Sequence, residues 1–415
     1  MALYSESDKK KMEVKKISIA EFDYELPDSS IAKHPLEERD QSKLLIYKKG
    51  EIDNNYFYNI AQHLTPKSLL ILNNTKVVRA RLKFRKESGA TIEVFLIEPI
   101  KPNDYSLSFS SKSNVVWKCI VGNLKRWKRG DLQMVIPEKE VTLTARQHSR
   151  LNEGVEVEFI WDNSSLSFAE IVEKCGTMPI PPYLNRESED VDSYRYQTIY
   201  AEPEGSVAAP TAGLHFTPRV FDSLSKIDIK PDYITLHVGA GTFKPVMSKT
   251  IEDHEMHTEH FFVGIDLVKK LYTNNDPIVC VGTTTLRTME SIYWLGIKVA
   301  EGKQNGNFNV TQWEPYELDK HIEAKEAYKA LYDYMKAKGI ETLSASTQII
   351  IAPGYEIKTC DALVTNFHQP RSTLLLLVAA AVGNDWKKIY QFALNNNYRF
   401  LSYGDSSLLY INKSV

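Results

Sequence analysis

Five of the chain's ten histidines, His215, His237, His254, His257 and His260, fall in one window. Two runs of small residues share it: Ala-Ala-Pro-Thr-Ala-Gly-Leu-His-Phe at 208–216 and Thr-Leu-His-Val-Gly-Ala-Gly-Thr-Phe at 235–243. Gly, Ala and Thr leave backbone N–H groups and hydroxyls uncovered, so a ligand can approach the main chain, and imidazoles beside them can move protons near neutral pH. The window is expected to form the floor of a substrate pocket. A lone histidine is more often structural than catalytic. His215, His237 and His368 gain weight as proton-transfer groups because each lies where small or polar residues interrupt an apolar run.

Other chemistries fit less well. Gly239 and Gly241 follow an apolar strand, which invites a dinucleotide-binding reading, but the third glycine would fall at Lys244, and Pro245 stands where a helix should open. The pair reads better as a place where a ligand nears the backbone, with His237 and Thr242 flanking it. His254, His257 and His260 recur every three residues. On a strand, His257 and His260 would point to opposite faces, which argues against a shared metal ion. Glu252-Asp253-His254, in an expected loop, is an acid/base cluster or, equally, a solvated charged turn. Thr283, Thr284 and Thr285 open an expected helix, where one of them would cap; free N–H groups, hydroxyls and Arg287 one turn in would also attract a carboxylate.

Composition bounds the rest. The chain has 415 residues, 43% hydrophobic and 25% charged, with a formal net charge of -2. That describes a folded protein of two or three domains and excludes wholesale electrostatic coating of nucleic acid, though a local basic face could hold a folded RNA. Cys119, Cys175, Cys280 and Cys360 show no metal or disulfide spacing, and Leu374–Val382, the longest apolar run, is far too short for a bilayer. A cytoplasmic protein without membrane anchor or metal is expected.

Period-two alternation at Val78–Phe84, Thr91–Leu96, Val115–Val121 and Gly154–Phe159 predicts half-buried antiparallel strands forming a small β-barrel. After about Phe168 the texture becomes strand, small or polar turn, then helix. Ile278–Gly282 leads into Thr283, and Asp361–Thr365 leads through Asn366 and His368 into a helix that Ser372 caps. This is α/β architecture, and it places Thr283, Arg287, Asn366 and His368 on one rim. A Lys/Glu-rich stretch from about Lys298 to Lys338 interrupts the rhythm. Lys125-Arg126-Trp127-Lys128-Arg129, with Arg79 and Arg81, is either a solvated strand face with a buried Trp or a phosphate-contacting strip.

Several motifs recur together: Phe22–Pro27, Asn73–Leu82, Met178–Tyr183, Ala208–Phe216, Thr235–Phe243, Gly282–Glu290, Leu363–His368 and Tyr398–Asp405. In this order they resemble the S-adenosylmethionine:tRNA ribosyltransferase-isomerase family of queuosine biosynthesis, over about Ile17 to Leu409. The resemblance implies an α/β domain (17–67 and 165–415) with an inserted small antiparallel β-barrel domain (68–164). It implies no metal or redox cofactor; S-adenosylmethionine serves as substrate, donating its ribosyl group to the aminomethyl group of a 7-deazaguanine at the tRNA wobble position. Epoxyqueuosine-tRNA, adenine and methionine result. A non-catalytic tRNA-binding relative, or transfer to a different amine, is the alternative. A monomer without membrane contact is expected.

On that reading His215, His237 and His368 are the base or shuttle, Asp253 or Asp405 the partner. Thr211, Gly213, Gly239, Gly241, Thr242, Thr283, Thr284, Arg287, Asn366 and Ser402 hold the donor, Thr283 and Arg287 at its methionine end. Arg79, Arg81, Lys125, Arg126, Lys128 and Arg129 contact tRNA. The stretch at about 295–345 is longer than the family's usual connection. Arg371 stands where the family's glutamate is expected, and Ser406-Ser407 where small apolar residues are, suggesting a divergent branch.

Overall fold

Alternate residues of the central strands feed two separate cores, which is how one sheet comes to be covered on both faces. In a computed structural model describing residues 14–86, 88–128, 130–136, 141–151, 154–239, 246–304, 306–318 and 322–412, except the side chain of Ser106, a ten-stranded sheet runs through the protein. Its order is β16 (Asn309–Val310), β17 (Thr342–Thr347), β14 (Glu259–Gly264), β13 (Pro231–Leu236), β3 (Leu69–Asn73), β15 (Ile278–Val281), β18 (Ala362–Asn366), β19 (Ser406–Tyr410), β1 (Lys43–Lys48) and β2 (Glu51–Tyr56). β13, β3, β15 and β18 are parallel neighbours, while β14, β17 and β19 add antiparallel pairings. In β3, Leu70 and Leu72 join one apolar cluster with Val279, Val281 and Val364, whereas Ile71 joins the opposite one with Cys280 and Leu363. Helix Thr283–Ala300 covers the second face with Leu286, Met289 and Ile292; helix Pro218–Ser225 covers the first with Val220 and Leu224. Strands buried on both sides read as continuous apolar runs, as β3, β15 and β18 do.

The second sheet is antiparallel, in the order β11 (Gly176–Thr177), β5 (Arg81–Arg85), β6 (Thr91–Lys101), β7 (Asn114–Gly122), β10 (Gly154–Trp161), β9 (Val141–Leu151) and β8 (Leu132–Ile136). Its inner face, with Ile92, Val94, Val157 and Phe159, packs around Tyr105, Phe109, Trp117, Trp161 and Phe168. Among the described residues no ladder joins β8 to β11, so the expected barrel is a curled half-barrel. Alternation in sequence reports which face of a strand is buried, and closure leaves no such mark. β4 (Lys76–Val77) and β12 (Glu204–Ser206) form a parallel two-stranded ribbon.

The Lys/Glu-rich stretch takes part in the larger sheet. It supplies β16, helix Ala324–Lys338 and the approach to β17, which pairs antiparallel with β14. That helix and Thr283–Ala300 approach closely at Gly296, where an added Cβ would stand 2.3 Å from the Ala327 carbonyl oxygen. Among the described residues no helix is long and apolar enough to cross a membrane. Gly296→Ala is therefore expected to destabilise the protein by about 1–3 kcal/mol, because a backbone oxygen cannot step aside. Urea unfolding measures this; an unchanged midpoint would contradict the packing.

Candidate active site

The C-terminal ends of β3, β13, β15 and β18 lie side by side, so the loops that follow them share one edge of the sheet. β15 ends at Val281, and Gly282, with a φ of 93°, turns the chain directly into helix Thr283–Ala300. The expected threonine cap is not made. Gly282 holds the cap position without a side-chain bond, and Thr285 Oγ1 instead donates to Val281 O at 2.6 Å. The helix's first N–H groups therefore lack a capping side chain. β18 runs into Asn366, Phe367 and His368, and Ser372 Oγ accepts from Leu375 N at 3.2 Å, capping the next helix as expected.

A cleft of about 800 Å³, counting the part open to solvent, occupies this edge. Of the expected donor-binding residues it is lined by Thr211, Thr283, Thr284, Asn366 and Ser402, together with His368. Groups from four distant segments thus converge. His215 stands just behind the wall: Asn366 Nδ2 donates to its Nε2 at 3.1 Å and to Asp405 O at 3.3 Å. With Nε2 accepting, the ring proton belongs on Nδ1, which lies 2.8 Å from Ser42 Oγ. Asn366 Oδ1 remains buried without a partner. His368 Nε2 lies 2.9 Å from Thr365 Oγ1, and Tyr24 Oη donates to its carbonyl.

Burial sets the charge of all three histidines. It lowers His368 to about 3 unaided, His215 to about 4 with the guanidinium charges of Arg39 and Arg399 adding to it, and His237 to about 4 with His260 adding. Each is neutral at physiological pH.

Other expected residues lie elsewhere. His237 Nδ1 meets Thr75 Oγ1 at 2.9 Å, and its ring packs 4.9 Å from Tyr105, between the larger sheet and the half-barrel rather than in the cleft lining; its neighbour Val238 does line the cleft. Gly213 is pressed against Tyr200, where a Cβ would come within 2.1 Å of its hydroxyl, and Gly239 lies beside His257. Gly241, Thr242 and Arg129 fall outside the described residues. Asp253 is exposed and accepts only from Thr250 Oγ1 at 3.2 Å, so the cluster around it is a solvated turn. Asp405 is buried, with both carboxylate oxygens taken by main-chain donors, Lys43 N at 2.9 Å and Arg399 N at 2.7 Å.

Arg287 lies apart from the cleft lining. Its guanidinium pairs with the buried Glu259 and donates to Ile349 O at 3.2 Å, so it does not line the cleft. Burial alone would raise the Glu259 carboxyl; Arg287 and His257 overcome this and hold it at about 2. Glu259 lies far from Arg287 in sequence, and nothing in the local pattern announces it. His257 and His260 diverge, His257 lying 3.3 Å from Glu259 Oε1 and His260 beside Tyr105.

On the half-barrel, Lys125, Arg126 and Lys128 are exposed, while Trp127 is 1% exposed and donates through Nε1 to Gly130 O at 2.9 Å, so it packs and is not available for stacking. Arg79 and Arg81 are paired with Glu173 and Glu93, each at 3.2 Å. Arg371 is likewise neutralised, its Nε donating to Asp23 Oδ2 at 2.7 Å. Sequence reasoning missed Tyr183 and Tyr196, which line the cleft, Tyr183 Oη lying 2.5 Å from Ser402 Oγ. The Met178–Tyr183 motif signalled the first; nothing in the sequence signalled the second.

The chain is similar to proteins of one family. A family described as "Queuosine biosynthesis protein" matches residues 19–409. S-adenosylmethionine:tRNA ribosyltransferase-isomerases from Halothermothrix orenii and Thermotoga maritima are 37% and 38% identical to this chain over 400 residues, covering 95% of it and 100% of each relative. A crystal structure of S-adenosylmethionine tRNA ribosyltransferase from Thermotoga maritima matches at 30% identity over 94% of this chain and 99% of that one, with a TM-score of 0.44.

Two predictions follow from the charges. Arg287→Ala leaves Glu259 ionised and buried, and is expected to cost about 3–5 kcal/mol of stability, read by chemical denaturation; a loss confined to donor affinity would restore the ligand-holding role. The depressed histidines bind fewer protons folded than unfolded, so stability is complete above about pH 6.5 and falls as pH drops toward 4. Melting from pH 7 to 4 should show this decline, and it should be shallower in His368→Gln. A parallel decline in that variant would remove His368 from the account.

Proposed function

The chain belongs to the queuosine biosynthesis protein family, and from that premise we propose that the cleft binds S-adenosylmethionine and transfers and isomerises its ribosyl group onto an aminomethyl-deazaguanine in tRNA. The observation that carries this reading is the convergence of Asn366, His368, Thr283, Thr284 and Ser402 on one space at the strand ends.

The residues divide the labour as follows. The uncapped start of helix Thr283–Ala300, with the hydroxyls of Thr283 and Thr284, receives the methionine carboxylate, since helix N-termini attract anions. Asn366 Oδ1, lacking a partner, accepts from a donor N–H of the nucleoside; its amide is fixed by His215 and the Asp405 carbonyl. A sulfonium acidifies the adjoining C5′ protons. His368 is neutral, and in the tautomer whose Nε2–H donates to Thr365 Oγ1 it is Nδ1 that accepts that proton. Loss of adenine, attack by the acceptor amine, and departure of methionine as the epoxide closes complete the reaction. Every step uses the chain's own groups, without metal or redox cofactor, and the protein acts as a monomer in the cytoplasm. The half-barrel forms an inserted domain whose Lys125, Arg126 and Lys128 contact the tRNA.

The test is single-turnover adenine release with S-adenosylmethionine and tRNA carrying the aminomethyl-deazaguanine. His368→Ala and Asn366→Ala are each expected to slow release by roughly 10²–10⁴-fold, the usual scale for a lost proton-transfer group or charge-orienting contact. Wild-type rates in both variants would refute these roles. Absence of release from the wild-type protein would refute the function.

A further inference from the structure

Beside the cleft, and sharing Ser402 with it, lies a second pocket of about 300 Å³ counting its open part. Arg39, Arg195, Ser42 and His215 line it, and the charge of a third arginine, Arg399, reaches the His215 ring. Elsewhere in the protein arginines meet carboxylates: Arg186 with Asp192, Arg219 with Asp40, Arg287 with Glu259. These three do not, among the described residues. Arg39 donates to Gln197 O at 2.9 Å and Tyr194 O at 3.5 Å, Arg195 to Glu37 O at 3.1 Å and Leu36 O, and Arg399 to His34 O. Arg195 Nε and Arg399 Nη1 are buried with no partner at all.

Main-chain carbonyls orient these guanidinium groups without cancelling their charge. Burial lowers the proton affinity of Arg39 and Arg399; Arg195 lowers that of Arg39 further, while Asp405 supports Arg399. Like charges held together in a partly dry pocket with unused donors are costly in the empty protein, and an anion relieves that cost. The planar fork of arginine matches the oxygens of a phosphate or a carboxylate.

We propose that this pocket is an anion site for a backbone phosphate of the RNA, next to the nucleotide whose base enters the cleft. The proposal rests on the functional reading above and adds to it the place where the RNA chain is gripped. A phosphate fits better than the donor's carboxylate for two reasons. The helix start at Thr283 is placed to serve the carboxylate inside the main cleft, and the arginine pocket is a separate, partly open one whose lining, with Pro35, Leu36, Arg39 and Arg195, includes no carboxylate.

The test measures binding of tRNA carrying the aminomethyl-deazaguanine to the full chain at several salt concentrations. Arg39→Gln and Arg195→Gln are each expected to weaken binding about 5- to 20-fold and to flatten the plot of log Kd against log salt by about 0.7–0.9, the release expected for one phosphate contact. Arg195→Lys should recover most of the slope. Unchanged affinity and slope in variants that melt like wild type would overturn the site. A raised KM for S-adenosylmethionine with unchanged tRNA Kd would assign the pocket to the donor's carboxylate and overturn the phosphate. Should the variants melt early, phosphate-ethylation interference on the wild-type complex decides: blocked binding beside the wobble nucleotide supports the proposal, and its absence there refutes it. Adenine release is assayed in the same preparation. No release with arginine-dependent tRNA binding would sink the functional reading and leave this site standing.

Discussion

The cleft depends on one buried carboxylate. Asp405 accepts from Lys43 N, where β1 begins, and from Arg399 N, while its own carbonyl accepts from Asn366 at the end of β18. Two segments distant in sequence, at Lys43 and Asn366, are thereby pinned to one residue, and Ser402 is held between Arg399 and Asp405 on the local turn that the carboxylate closes. Burial pushes the Asp405 carboxyl above its ordinary range, and the two main-chain donors oppose this. A group of this kind is worth keeping only where it fixes geometry, since its desolvation offsets much of what its hydrogen bonds contribute. Here the geometry fixed is that of Asn366, and through Asn366 that of His215.

This chain of contacts explains why the carboxylate expected to act on protons is positional. Both oxygens of Asp405 are engaged by main-chain donors, and the residue does not line the cleft. Asp253 is exposed on a turn that does not line the cleft. Charge in this region is therefore carried by Arg39, Arg195 and Arg399, while the imidazoles of His215 and His368 are neutral.

Much of this was legible in sequence, and what was not has a common cause. The strand-to-helix turns at Gly282 and Asn366, the Ser372 cap and the alternating strands 81–161 are local patterns, and period and turn chemistry report them directly. The pairing of Arg287 with Glu259 joins a helix to a strand, and Arg39 reaches the 194–197 segment across most of the first half of the chain. Type and spacing cannot reveal such pairings, because the partner's position is a product of the fold. The same holds for the half-barrel: alternation marks its inner face, while closure depends on how seven strands stagger. Histidine position was informative; histidine protonation was not, because burial by distant segments decides it.

The neutrality of the cleft bears on the chemistry proposed for it. A sulfonium makes its neighbouring carbon acid because its positive charge stabilises the carbanion formed there. A carboxylate set against the sulfonium would pair with it in the ground state and blunt that acidity. The lining here carries hydroxyls, amides and an uncharged His368 instead. When a neutral imidazole takes that proton the sulfonium becomes a net-neutral ylide and the positive charge moves to the ring, which burial disfavours, so the proton is held weakly and is easily passed on. That suits a residue returning the proton to a later intermediate better than one required to hold it. The arginines of the neighbouring pocket act instead on His215, where Arg39 and Arg399 add to the effect of burial. An anion seated among them would relax that field.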